Sequence, residues 1–172
     1  FYSVKEMVNL AIGFTELASL NVQSTLPGEQ YFSLQAMLNM SVAWIAPVLV
    51  GKGIICHMLL SKNLPHLLAG QSQFIHRIIA NLLQNSVALI TAGQVIIQAE
   101  LVNQDGDLCV TKAHDKPALL KLKVTAIGKR RVPAFNNHEV QLNLRLQIVK
   151  KIVSLLGGKF DCENHSSCSK IF

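Results

Sequence analysis

An α+β fold is predicted for this 172-residue chain by three features: helical spacing of apolar residues through the first half, a change to alternation after Gly93, and a turn-forming run between alternating segments. The expected architecture is a helical N-terminal half packed on an antiparallel β-meander, a hotdog-like or cone-shaped two-layer arrangement. Half of the residues are hydrophobic and 15% are charged, which supports one core and argues against disorder. The chain therefore reads as a single domain, 1–172, with a polar tail at 157–172.

Residues 4–20 set Val4, Met7, Val8, Ala11, Ile12, Leu17 and Leu20 near helical spacing, with Ser3 and Glu6 forming a capping box. Pro27-Gly28 signals a turn. Tyr31 to Val50 is apolar almost all round, so it reads as a buried helix that Pro47 ends or kinks. After Gly51-Lys52-Gly53, Ile54 to about Leu60 reads as a second apolar helix, and Pro65 as the start of a further helical turn. Ser72 is the expected cap of an amphipathic helix whose stripe is Phe74, Ile75, Ile78, Ile79, Leu82 and Leu83. His76, Arg77, Asn81 and Gln84 take its other face.

Beyond Gly93, Val95, Ile97, Ala99 and Leu101 alternate, and Asp105-Gly106 suggests a hairpin returning through Leu108 to Ala113. Leu120, Leu122, Val124 and Ala126 alternate with Lys121, Lys123 and Thr125. Val140, Leu142, Leu144, Leu146 and Ile148 do the same with Gln141, Asn143, Arg145 and Gln147, so 118–127 and 139–148 read as strands, each with one buried face.

The net charge of +6 is concentrated late: residues 112–172 hold twelve Lys and Arg against four acids. If the two strands are neighbours, Lys121, Lys123 and Arg145 share a solvent face close to Lys129, Arg130 and Arg131. Lys121, Lys123, Lys129, Arg130 and Arg131 are the candidate anion-binding residues, against the plainer reading of a solvated lysine-rich face.

Phe1 rather than Met opens the sequence, which reads as a processed product or an excised piece with no legible signal peptide. Leu38 to Leu60 is long enough to cross a bilayer, but Asn39, Pro47, Gly51, Gly53 and His57 interrupt it and disfavour a span. Cys162 and Cys168 bracket a polar loop and form the expected disulfide; with the sequon Asn164-His165-Ser166 they lean towards a secreted protein.

Catalytic and metal assignments are empty. The six histidines show no ligand spacing, and Asp105-Gly106-Asp107 lacks the remaining oxygen ligands of a calcium loop. Gly51-Lys52-Gly53 is too short for a phosphate loop, and no Gly-x-Gly-x-x-Gly follows a strand, so nucleotide binding by those routes is disfavoured and no cofactor is expected. Phe14-Thr15-Glu16-Leu17-Ala18-Ser19, Gly51 to Leu60 and Ala92-Gly93-Gln94-Val95 occur in the order of segments in the MaoC-type (R)-specific enoyl-thioester hydratases, which they resemble. That resemblance implies a hotdog fold and acyl-thioester substrates. It carries over no catalytic residue, since Leu20, Thr25 and Cys56 stand where the family keeps Asp, His and His.

The function expected on these grounds is a non-enzymatic module enclosing a small apolar ligand, a fatty acyl chain or sterol, against Phe74, Ile78, Leu82, Leu122, Val124, Leu142 and Leu144. The alternatives are a hotdog enzyme acting on acyl thioesters and an electrostatic binder of an anionic polymer, nucleic acid or sulfated glycan. No oligomeric state is predicted.

Overall fold

The computed structural model describes residues 4–22, 28–102, 119–130, 137–163 and 168–171. In chain order the elements are α1 (Val4–Val22), β1 (Gln30–Phe32), α2 (Leu34–Lys52), β2 (Ile54–Leu60), β3 (Leu68–Gly70), α3 (Ser72–Leu89), β4 (Ile90–Val102), β5 (Leu119–Arg130), α4 (Asn137–Leu155), β6 (Phe160–Glu163) and β7 (Cys168–Ile171). Among the described residues β1 and β3 pair alone, and the main sheet runs β2-β4-β5-β7-β6.

The α+β class holds, but the sheet is no meander. β2 lies parallel to β4 at one edge, while the other pairings are antiparallel. Residues 54–60, expected to be helical, form this edge strand. Gly53 takes the left-handed conformation and ends α2, its N–H donating to the Leu49 and Val50 carbonyls, and the β-branched pair Ile54-Ile55 starts an extended segment.

The second correction concerns residues 139–148, which belong to α4. Alternation through Ile148 mimics a strand, but Ile148, Val149, Ile152 and Val153 are all buried, and doublets one turn apart are a helical stripe. The strand β5 neighbours β4 and β7 instead. Pro65 lies in irregular chain ahead of β3, and the expected return strand of the 103–113 hairpin lies outside the described residues. The segment expected as a polar tail supplies β6 and β7 to the main sheet.

Val95, Ile97 and Ala99 of β4 stand opposite Ala126, Val124 and Leu122 of β5 and are buried with them. On this inner face lies α3, flanked by α2 and α4, and α1 packs on α4. α3 is held by its apolar stripe of Phe74, Ile78, Ile79, Leu82 and Leu83. Ser72 is its first residue rather than its cap; the hydroxyl donates to Gln30 Oε1 at 3.0 Å.

α2 is less buried than its composition suggests. Leu34, Leu38, Ile45 and Leu49 face the core, whereas Met40, Trp44, Val48 and Val50 are exposed. The helix passes through Pro47 unbroken, because both Pro47 and Ala43, whose carbonyl the ring deprives of its donor, lie on the solvent side where water substitutes. With a mean hydropathy of 1.5 it is long and apolar enough to cross a membrane, yet it packs here on α3 and β2.

Lys52, in the last turn of α2, extends its ammonium to the carbonyls of Val87 at 2.6 Å and Ile90 at 3.0 Å, where α3 ends. The Val87 carbonyl, in the last turn of α3, has no donor within the helix, and a cation there also meets the negative end of the helix dipole. Lys52→Met is expected to cost about 1.5–3 kcal/mol, the range for charged hydrogen bonds, read from urea unfolding. An unchanged midpoint would show that water replaces the ammonium freely.

Candidate functional site

The polar face of α3 is the starting point. Arg77, Asn81 and Gln84 follow at intervals of four and three and so share one side of the helix, with His76 beside them. Opposite stand Leu144, Arg145 and Ile148 of α4, and the ends are closed by Ile12, Gly13 and Glu16 of α1 and Trp44 of α2. Together they enclose a cavity of about 360 Å³, a size within the range of small-ligand sites.

Specific bonds fix its walls. Asn85, buried one turn beyond Asn81, donates through Nδ2 to the Leu142 carbonyl at 3.2 Å and ties α3 to α4. Its Oδ1 is buried and has no hydrogen-bond partner among the described residues. Asn81 Nδ2 donates to the Arg77 carbonyl at 2.9 Å, and Arg77 Nε pairs with Glu16 Oε1 at 2.9 Å. Gly13 is buried against Leu144, and a side chain at that position would require the Leu144 side chain to shift.

The electrostatics favour an anion. Two guanidinium groups, Arg77 and Arg145, face the cavity against a single carboxylate, Glu16, among the described residues. Glu16 is taken by Arg77. Arg145 is half-buried, makes no ion pair or hydrogen bond among the described residues, and burial pulls its pKa below the ordinary guanidinium value. A charge in that position has lost water without gaining a counter-ion among the described residues, a state that a bound oxyanion relieves.

Nothing comparable to a nucleophile and its base is present among the described residues. Cys56 and His57 are successive residues of a strand and point to opposite faces, and burial raises the Cys56 pKa, keeping the thiol protonated. No group of three or more His, Cys, Asp or Glu suited to a metal occurs among the described residues.

The residues expected to bind an apolar ligand are in the core instead. Phe74, Ile78 and Leu82 from α3, Leu122 and Val124 from β5 and Leu144 from α4 belong to one buried cluster. Leu142 is half-buried on α4 and serves the site through its backbone carbonyl.

Of the expected basic face, Lys121, Lys123 and Lys129 alternate with the buried residues of β5 on its outer side, but Arg145 does not join them. Lys121 is paired with Glu100 at 2.7 Å across β4 and β5, Arg145 sits on α4, and Lys123 and Lys129 lie on β5. The Arg130 side chain and all of Arg131 lie outside the described residues.

Cys162 is a free thiol, which corrects the expected disulfide. The β6–β7 register sets Cys162 opposite Ser169 and Cys168 opposite Glu163, so the two cysteines are one residue out of step.

Comparison with known proteins overturns the functional expectation. The solved structure of Acinetobacter baumannii histidine kinase AdeS matches with a TM-score of 0.72 at 17% identity, over 98% of this chain and 78% of that one. Full-length ShkA in complex with AMPPNP matches with a TM-score of 0.73 at 16% identity, over 96% of this chain and 35% of that one. The catalytic domain of histidine kinase ThkA matches with a TM-score of 0.58 at 16% identity, over 85% and 96%. The chain has the fold of a histidine kinase catalytic domain.

A curated relative, hybrid signal transduction histidine kinase B of Dictyostelium discoideum, is 24% identical over 133 residues. The match covers 74% of this chain and 7% of that protein, so the chain spans a small part of the relative's length. No family model matches.

These likenesses replace the hotdog and cone expectations, and with them the enoyl-thioester hydratase resemblance. They also overturn the apolar ligand and the anionic polymer expected as partners: ShkA, which shares the fold, is solved in complex with AMPPNP. The residues missed as a site, His76, Arg77, Asn81 and Gln84, were visible as a polar stripe on a segment read as helical. Arg145 was hidden because its segment imitates a strand.

Proposed function

We propose that the chain is a nucleotide-binding domain of the histidine kinase type, taking the phosphates of ATP into the cleft between α3 and α4. The observation that carries this reading is Arg145, a desolvated guanidinium facing the cavity with no counter-ion among the described residues, in a fold shared with a protein solved with AMPPNP. Guanidinium groups match phosphate oxygens by geometry and charge, and Arg77 supplies a second.

The rest of the cleft fits the same ligand. The side-chain amides of Asn81 and Gln84 offer donors and acceptors along one wall, and Leu144 and Ile148 keep the opposite wall dry. The Oδ1 of Asn85, buried behind this wall and not itself lining the cavity, has no partner among the described residues and is an acceptor of the kind that a donor or a hard cation satisfies. Magnesium, when bound with a nucleotide, neutralises charge on its phosphates. With Glu16 the sole carboxylate lining the cleft among the described residues, such an ion would rest on phosphate, amide and water oxygens.

The chain's own part is to bind and orient. Arg145 and Arg77 hold phosphate oxygens, Asn81 and Gln84 set their direction, and the Asn85 bond to Leu142 keeps the two walls in register. This route uses no glycine-rich phosphate loop, which is why motif spacing disfavoured it.

Calorimetric titration with AMPPNP tests the proposal. Saturable binding is expected, weakened about ten-fold or more in Arg145→Ala, as for the loss of a charged hydrogen bond. No binding at millimolar AMPPNP, or equal affinity in Arg145→Ala, would overturn it.

A further inference from the structure

We propose that α1 is a displaceable cover of this cleft, in which the Glu16 carboxylate holds at Arg77 the place of a phosphate oxygen, so that polyphosphate and α1 compete for the same guanidinium. The inference rests on the nucleotide-binding reading and adds a built-in competitor to it.

Three observations converge. The single carboxylate lining the cleft among the described residues comes from α1 and not from the walls formed by α3 and α4. It meets Arg77 through one contact, Nε to Oε1 at 2.9 Å, with side chains 35% and 20% exposed. A one-contact pair of that exposure is weak and exchangeable, whereas a phosphate can engage a guanidinium through two oxygens.

The anchoring of α1 is also light. Gly13 and Leu20 are buried and Leu10 and Leu17 half-buried, while Met7, Val8, Ile12 and Phe14 face solvent. Elements held by few buried contacts are those that open at low cost.

The third observation is the shape of the surface around the ion pair. A second depression of about 520 Å³, lined by Ala11, Ile12, Thr15, Glu16, Ser19 and Arg77, lies on the α1 side of the pair. It shares Ile12, Glu16 and Arg77 with the inner cavity. Because both depressions are lined by Glu16 and Arg77, the ion pair lies on their common border, and parting it would open one into the other as a longer cleft for an extended, multiply charged chain. Arg145, which has no counter-ion among the described residues, provides the inner attachment point, and Arg77 becomes the outer one once Glu16 leaves.

The experiment compares the wild-type chain with Glu16→Gln and Arg77→Gln, using sodium tripolyphosphate and AMPPNP as probes, with affinity from calorimetry and amide exchange of residues 10–20 followed in parallel. Glu16→Gln is expected to bind tripolyphosphate about two- to five-fold more tightly, the range that release of an exposed ion pair allows. Its α1 amides should exchange faster without ligand, and ligand should speed the same amides in the wild type. Arg77→Gln should loosen α1 equally but bind more weakly, which separates competition from general unfolding. Nucleotide binding that is identical in wild type and Glu16→Gln, with α1 exchange unmoved by ligand, would overturn the cover and leave the nucleotide site standing. Absence of binding of either probe to all three chains would overturn both.

Discussion

Gly93→Ala is expected to destabilise the protein by about 3 kcal/mol or more. Gly93 lies in β4 directly opposite Gly128 of β5, and its φ of 132° is one that residues with a side chain rarely adopt. A Cβ at Gly93 would collide with the Ile127 carbonyl oxygen and stand 2.7 Å from the Gly128 Cα. These are backbone atoms of a central strand, so no rotamer change relieves the contact. The two facing glycines let β4 and β5 approach beside the register shift between Ile90 and Ala92, next to the junction with α3. Equilibrium urea unfolding measures the loss, and a change under about 0.5 kcal/mol, typical of an uncritical surface site, would contradict this account of the pairing.

Phe74→Ala should cost about 3–5 kcal/mol, the range for emptying a packed aromatic site. Phe74 is 1% exposed in the first turn of α3 and belongs to the same buried cluster as Ile78, Leu82, Val124 and Leu144. The helix it anchors also presents Arg77, Asn81 and Gln84, so nucleotide affinity should fall with stability. For a chain of this length the melting temperature drops roughly 2–4 °C per kcal/mol. A loss below about 1 kcal/mol would mean that Phe74 borders a void, which is what a hollow, apolar-ligand interior requires and a packed core forbids.

The parts of the fold legible in the sequence were those with local, uninterrupted periodicity. α3 announced itself by six apolar residues on one stripe, and β4 and β5 by clean alternation that burial bears out at Val95, Ile97, Leu122 and Val124. β2 was not legible because its partner β4 begins some thirty residues later, beyond β3 and α3, and parallel pairing leaves no hairpin turn to read. α4 was misread because nine residues of alternation outweighed the doublets at Ile148-Val149 and Ile152-Val153 that only a helix buries on one side.

The site was half visible for the same reasons. Its α3 wall was written as a polar stripe on an otherwise apolar helix, but a polar face alone reads as solvated surface. What turns it into a cleft is tertiary: Arg145 comes from the element taken for a strand, and Glu16 comes from a helix more than fifty residues before Arg77 in the chain. Of the residues chosen for a ligand, all but Leu142 fall in one buried cluster, with Leu144 supplied by a helix and not by the expected strand. Periodicity cannot distinguish the lining of a cavity from the packing of a core, and here Phe74, Ile78, Leu82, Leu122, Val124 and Leu144 pack.

The central claim, that nucleotide phosphates enter between α3 and α4, is tested most directly by amide hydrogen exchange of the 172-residue chain with and without AMPPNP. Protection is predicted in residues 76–85 and 142–148, the two walls joined by the Asn85 bond to Leu142, together with faster exchange in residues 10–20 of α1. Protection confined to β5 at residues 121–129, or none anywhere at saturating nucleotide, would contradict it.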